Sequence, residues 1–381
     1  MIPLRRRPAH SARTAGVARA LRLAACSFAL LLSACASAPP TEPDFEIPVY
    51  PPPPAEPRFI WERTLLYNED VESATRKQRF IEYATGASRK LKGLVKPFDV
   101  AVRQGRVYVS DSVQRLVVVF DVAGGRFFEI GKEVEGRLAK PLGLAIARDG
   151  TLYVADVTAR RVMAYDADGV FLRTIGGPDT LQRPADVAVS PDGDRLYVVD
   201  TGGVESEEHV VTIFDARSGE RIGNIGRRGE AEGEFNLPLQ VAVAGDGTVY
   251  VVDSGNFRVQ AFDAAGRFHM SFGAVGRFPG QFARPKGIAV DKEGRIYVID
   301  TAFGNFQVFD PEGTLLMYAG ERGHAGYPGK YMLPAGIAVD EDGRVYVVDQ
   351  FFRKVDVFRP VEVGSEDGHA VQRSGDGSDR G

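Results

Sequence analysis

Cysteine is nearly absent: the 381 residues hold two, Cys26 and Cys35, both close to the start. Residues 36–381 therefore have no disulfide framework available. The fold has to stand on buried apolar surface, which a chain of this length can supply. Histidine is scarce too, and past residue 34 only His209, His269, His324 and His369 remain, each in a different stretch. A catalytic zinc takes three protein ligands and a water, so such scatter argues against a histidine-built zinc site. No G-x-S-x-G elbow, Walker loop or His-Glu-x-x-His pair occurs. Nor is there an uninterrupted run of 18 or more apolar residues, so no transmembrane helix is expected.

Residues 1–34 have the layout of a secretory signal, with Arg5, Arg6, Arg7, Arg13, Arg19 and Arg22 around an apolar run from Leu23 to Leu32. The run ends in Leu32-Ser33-Ala34-Cys35, which resembles the lipobox of bacterial lipoproteins. That resemblance implies cleavage before Cys35 and attachment of lipid to its sulfur. With Ala rather than Asp at position 36, it also implies the outer membrane, on its periplasmic side or at the cell surface. Removing the signal leaves 41 basic residues against 51 acidic, a net charge of −10. So acidic a chain is a poor match for nucleic acid, whose binding draws on Lys and Arg facing phosphates. Residues 35–57 are rich in proline, including Pro51-Pro52-Pro53-Pro54, and read as a semi-rigid polyproline spacer or as a leader with no spacing role.

One pattern recurs six times, beginning at Pro97, Pro141, Pro184, Pro238, Pro285 and Pro334, at spacings of 44, 43, 54, 47 and 49 residues. Each copy opens as Pro-x-x-φ-Ala-φ, for example Pro285-Lys286-Gly287-Ile288-Ala289-Val290. In most copies an Asp-Gly turn follows, as at Asp149-Gly150 and Asp342-Gly343. A second strand rich in β-branched residues and tyrosine ends in Asp111, Asp156, Asp200, Asp253, Asp300 or Asp349. In five copies a third strand closes on Phe-Asp or Tyr-Asp, and a fourth ends at a glycine such as Gly226 or Gly273. A period near 45 residues with four short strands belongs to a propeller blade, so the expected fold is an all-β, six-bladed β-propeller over residues 58–360.

The sixth copy lacks its fourth strand, because residues 361–381 turn into a Gly, Ser and Asp tail that reads as disordered. An open strand edge inside a ring leaves backbone groups unpaired. The segment Arg58–Tyr67 (Arg-Phe-Ile-Trp-Glu-Arg-Thr-Leu-Leu-Tyr) is the expected fourth strand, pairing with Lys354–Phe358. Between it and the first blade, residues 68–91 carry Phe80, Ile81 and Tyr83 at helical spacing. They read as a short helix on a rim, either a docking element or a solvated connector.

Two details resemble NHL-repeat propellers. One is the loop Gly226-x-x-Gly229-x-x-x-Gly233-x-Phe235-x-x-Pro238, repeated at Gly273, Gly276, Gly280, Phe282 and Pro285. The other is Asp253-x-x-Asn256-x-Arg258-Val259, which is similar to the NHL turn in which Asp, Asn and Arg close the step from second to third strand. The resemblance implies that Asp111, Asp156, Asp200, Asp253, Asp300 and Asp349, with basic partners such as Arg161 and Arg258, are scaffold. A cation-binding ring of the six aspartates is the alternative.

A scaffold position repeats, whereas a site breaks symmetry. The third residue of the first strand is Gly in three copies but Asp99, Asp186 and Gln240 in the others, and the third copy inserts Gly202–Val211 with Glu205, Glu207, Glu208 and His209. Together these read as an acidic, polar, partner-binding face, or as solvated loops. The expected function is a non-catalytic, lipid-anchored envelope protein, a monomeric propeller without cofactor, presenting one face to a protein, peptide or glycan. Related propellers include metal-dependent lactonases and a zinc lyase, so a metal-dependent hydrolase or lyase with its site in the central channel is the alternative.

Overall fold

The computed structural model describes residues 46–371, apart from residues 87, 89, 204 and 205. The signal, Cys35, the tether up to residue 45 and the end of the tail from residue 372 lie outside the described residues. The described residues form six antiparallel blade sheets, five of four strands and a closing one of five, with a two-stranded parallel ribbon (Glu321–Arg322 with Lys330–Tyr331) beside them. Blade 2 is typical: Pro141–Ile146 innermost, then Leu152–Asp156, Arg161–Tyr165 and Phe171–Ile175 outermost. Every strand of the six sheets lies at or after Val49, so the chain from Ile47 onward carries a complete ring.

Burial explains why the strands read as they do. The second and third strands of each blade are almost wholly buried, since both faces of a radial sheet press on a neighbouring blade and both must be apolar. The outermost strand of blade 2 alternates, with Leu172 and Thr174 exposed and Ile175 buried. Each core cluster joins two blades: Val211, Ile213 and Ile225 of blade 3 pack with Val241, Val249 and Phe262 of blade 4. The Gly-x-Phe loops feed the same clusters. Phe235 is fully buried with its ring 5.5 Å from that of Phe262, and a Cβ on Gly226, at φ +76°, would stand 2.3 Å from the Phe235 ring. That proximity, together with the positive φ, accounts for glycine there.

The ring closes as expected. Phe59–Leu65 pairs antiparallel with Lys354–Pro360, from Phe59 opposite Pro360 to Leu65 opposite Val355. Phe59 and Leu65 enter two different core clusters, and Thr64 donates to Asp356 Oδ1 at 2.7 Å. Glu62 lies 2.8 Å from the Nε of Arg344, a guanidinium with no exposed side-chain surface.

Three expectations need correction at their edges. The proline-rich stretch is not a free spacer throughout, because Val49–Tyr50 pairs with Ile60 and Phe59 and the Tyr50 ring meets that of Phe358 at 5.7 Å. Burying an aromatic ring outweighs ordering a few residues whose backbone is already stiff. The tail is not disordered from residue 361: Arg344 Nη2 donates to the Asp367 carbonyl at 2.7 Å, His369 N donates to Asp342 Oδ2 at 2.6 Å, and Ala370 is buried. A buried guanidinium needs acceptors, and the tail backbone supplies them. The connector at 68–91 is helical only over Arg76–Thr85, after a 3-10 turn at Asn68–Asp70. Thr75 and Gln78 form a reciprocal capping box at its start, and Gly86 ends it at φ 66°.

Candidate functional site

The turn after each second strand and the loop leading into each first strand share one end of the ring. The repeated aspartates tie them together. Asp111 accepts from the backbone N–H of Val95 (2.7 Å) and Lys96 (2.9 Å) in the loop and of Val113 (3.1 Å) and Gln114 (2.9 Å) in the turn. Asp156, Asp200, Asp300 and Asp349 repeat this with Ala139 and Lys140, Gln182 and Arg183, Ala283 and Arg284, and Met332 and Leu333. All six aspartates are buried, with their carboxylates engaged in these ties. The expected Asp–Arg fork occurs once among the described residues, at Arg258 Nε to Asp253 Oδ2, 2.9 Å. Arg161 turns its Nε to the Ala159 carbonyl instead. The other five aspartates are already engaged by three or four backbone donors, whereas Asp253 takes one loop N–H, from Asn236, and completes its shell with Asn256, Arg258 and Gln260.

These clamps position a rim. The residue just before each first-strand proline is exposed: Lys96, Lys140, Arg183, Leu237, Arg284 and Leu333. Four of the six are cationic, and aspartate fixes the backbone of five. At the sixth, Leu237 N donates to His209 Nδ1 at 3.1 Å. His209, expected on a partner-facing loop, is 5% exposed and serves as this acceptor. Burial and then the Arg228 charge lower its pKa, which keeps the imidazole neutral for that role. Of its loop companions, Glu205 lies outside the described residues. Glu207 is exposed, and Glu208 is exposed and accepts from Gln182 Nε2 at 2.9 Å.

Inside the rim stands Lys286, the second residue of blade 5's first strand. Its Nζ lies 4.3 Å from the Phe98 ring centroid and forms no hydrogen bond or ion pair among the described residues. Burial lowers its pKa to about 8; Asp99 opposes that shift, while Lys96 and Arg284 add to it, which places all four charges near one another.

Below Lys286 the channel is plugged. Asp99, Asp186 and Gln240 do not face solvent as expected but are 3–4% exposed. An innermost strand has one unpaired edge, and these side chains serve it: Asp99 Oδ2 accepts from Leu144 N (2.9 Å), Asp186 Oδ2 from Val241 N (2.9 Å) and Gln240 Oε1 from Ile288 N (3.1 Å), each in the next blade. The glycines at the equivalent position make room, since a Cβ on Gly143 would lie 1.9 Å from Asp186 Oδ1 and one on Gly336 2.3 Å from Asp99 Oδ1. Asp186 Oδ1 and Gln240 Nε2 have no hydrogen-bond partner among the described residues. Burial pushes the Asp99 carboxyl up to about 6, and burial with the Asp99 charge pushes Asp186 well above the usual carboxylate range. The mouth is thus a basic socket over a polar plug, where an acidic face was expected. Sequence reasoning missed the rim, although the residue before each proline was there to be read.

The NHL repeat model matches residues 235–262 and 282–309. This propeller carries NHL repeats. Residues 102–218 of it match the SMP-30/Gluconolactonase/LRE-like region. The E3 ubiquitin-protein ligase NHLRC1 of Rattus norvegicus is 34% identical over 98 residues, 26% of this chain and 23% of the relative; the Homo sapiens protein of the same name is 31% identical over 100. The match thus spans under a quarter of those curated relatives. Among solved structures, the NHL propeller is similar to a structural-genomics protein of Bacteroides thetaiotaomicron (TM-score 0.56, 17% identity, 72% of this chain and 71% of that one). It is also similar to a gluconolactonase of Xanthomonas campestris (TM-score 0.54, 18% identity, 79% and 98%). At these identities the likeness is one of fold.

Proposed function

We propose that the chain is a non-catalytic binding module of the bacterial cell envelope, lipid-anchored through Cys35, whose basic socket receives an acidic segment of a protein partner. The observation that carries this reading is the rim: Lys96 and Arg284 stand near Lys286, Lys140 and Arg183 hold the equivalent position in blades 2 and 3, and each of the four has its backbone N–H clamped by an aspartate, in a chain that is acidic once its signal is removed. Charges held on fixed backbone lose little freedom on binding and steer an oppositely charged partner. A cluster of cations backed by the buried Asp99, Asp186 and Gln240 suits an inserted acidic side chain better than a passing polymer.

The metal-dependent alternative would draw on the plug. Its two carboxylates each spend one oxygen on a backbone N–H, Gln240 spends its carbonyl likewise, and the Lys286 ammonium stands beside Asp99. What these ties leave over, chiefly Asp186 Oδ1, does not make the ligand set of a catalytic zinc or a calcium ion.

Two results test the reading. Fluorescence anisotropy with a labelled oligo-glutamate peptide should show binding that weakens as salt rises. The triple variant Lys96→Glu, Arg183→Glu, Arg284→Glu should bind at least tenfold more weakly with an unchanged thermal midpoint; equal affinity would remove the rim from the site. Separately, palmitate fed to cells expressing the full chain should label the protein and fail to label Cys35→Ser; label on that variant would refute the anchor.

A further inference from the structure

We infer that the helix Arg76–Thr85, through its exposed Arg79, Phe80, Ile81 and Tyr83, together with Lys90 and Leu91, rests against anionic lipid at a membrane surface. The segment is the connection from the closing strand to blade 1, and it differs from the five other loop connections by containing the helix Arg76–Thr85. Glu72, before the helix, accepts from Phe127 N, and Lys92, after it, lies 3.7 Å from Glu129, both on the outermost strand of blade 1. The helix therefore projects from the outer flank of blade 1, away from the channel axis.

Two properties of the segment coincide. The first is unburied apolar surface: Phe80 is 70% exposed, Ile81 44%, Tyr83 91% and Leu91 49%. An isolated exposed aromatic needs no explanation, but three large apolar residues within four positions of one capped helix do. The second is charge. Residues 76–92 contain Arg76, Lys77, Arg79, Arg89, Lys90 and Lys92 against the single acid Glu82. A net +5 over 17 residues stands out in a chain that carries −10 after loss of its signal. A largely polar helix that sets aromatic rings beside Lys and Arg has the composition of one lying in a bilayer interface, its rings at headgroup depth and its cations on anionic headgroups. An acidic protein surface would satisfy the cations but would leave Phe80 and Tyr83 without an apolar phase.

The inference shares with the proposed function only the placement at an envelope; it does not depend on the rim. A lipid on Cys35 would hold the chain at the membrane without setting its orientation, and the flank of blade 1 would set it. With that flank down, the socket opens sideways and stays free for a partner.

The test uses residues 47–381, which carry the complete ring but no lipid. Sedimentation with phosphatidylcholine vesicles containing about one-third phosphatidylglycerol should pull the protein down at low salt, and pure phosphatidylcholine vesicles should not. Partitioning should fall about tenfold in Phe80→Ser, Ile81→Ser, Tyr83→Ser, and by a similar factor in Arg79→Glu, Lys90→Glu, with thermal midpoints unchanged because these side chains lie outside the ring. The rim triple variant should partition like the wild type. Failure to bind anionic vesicles, equal binding to both vesicle types, or wild-type partitioning by the helix variants would overturn the inference. So would loss confined to the rim variant, since it would move lipid contact to the socket; oligo-glutamate binding by the rim would survive any of the first three outcomes.

Discussion

A chain lacking residues 58–67 is expected to lose its cooperative unfolding transition, with the near-ultraviolet circular dichroism of the folded ring missing at 25 °C. The deleted strand buries Phe59 and Leu65, each contributing about 1.5–3 kcal/mol. It also holds Glu62, and without that carboxylate the wholly buried Arg344 loses its closest counter-charge, at a cost of roughly 3–5 kcal/mol. Together these come to about 6–11 kcal/mol, within the 5–15 kcal/mol that typically separates a folded domain from its unfolded chain. The exposed edge of Lys354–Pro360 would in addition offer unpaired backbone to other molecules, so the deletion should aggregate. Glu62→Ala isolates the ion pair: a drop of about 3–5 kcal/mol in urea titration with an unchanged slope is expected. A deletion variant melting within a few degrees of the wild type would mean that the ring does not rely on this strand.

The closure was legible because a repeat with a missing piece announces the piece. The sixth unit stops at Pro360 with no fourth strand, and Arg58–Tyr67, upstream of the first unit, resembles the missing one; Phe59–Leu65 within it makes the pairing. Blade number and strand order followed from the Pro and Asp periods in the same way, since the Asp at the end of each second strand has one structural task and cannot drift. What could not be read was anything set by contacts distant in sequence. Tyr50 sits in a run of prolines and packs on Phe358, more than 300 residues away. The tail after Val361 has the composition of a disordered segment, yet it is held because Arg344 needs its carbonyls.

The site was half legible, for a comparable reason. Asp99, Asp186 and Gln240 were singled out correctly as the places where symmetry breaks, but their depth was misjudged. A carboxylate at the third position of an inner strand looks like a mouth residue until one counts the unpaired N–H groups along that strand's edge, and Leu144, Val241 and Ile288 supply the donors that draw these side chains inward. His209 was misplaced likewise: no local signal says that Leu237 N will need an acceptor because Asp253 is occupied by side chains. Among the described residues, the Asp–Arg pairing inferred from resemblance forms at Arg258, where the backbone leaves room for it.

The plug makes stability depend on pH in a direction opposite to ordinary acid denaturation. Burial raises Asp99 from 3.8 to about 6, and burial with the Asp99 charge raises Asp186 well above the usual carboxylate range. A folded-state pKa above the unfolded value means that the native chain binds more protons between the two, so the contribution is full below about pH 4 and is lost as pH rises through about 6. For Asp99 alone the loss is roughly 3 kcal/mol, at about 1.4 kcal/mol per unit. Half-buried carboxylates elsewhere, such as Asp215 and Glu234, are shifted down and act in the opposite sense, so a bare stability profile would mix the two. The difference between wild type and Asp186→Asn separates them. The amide oxygen of Asn can keep the bond from Val241 N, while its NH2 replaces the unpartnered Oδ1 and removes the like charge beside Asp99. The variant should lie closer to the wild type near pH 4.5 than at pH 7.5, where it should be the more stable of the two, as measured by urea unfolding. Lys286, lowered to about 8, exchanges its proton mostly above that window and leaves the comparison intact. A constant difference across the window would mean that the two carboxyls do not share a buried, mutually repelling environment, and the polar plug beneath the socket would have to be redrawn.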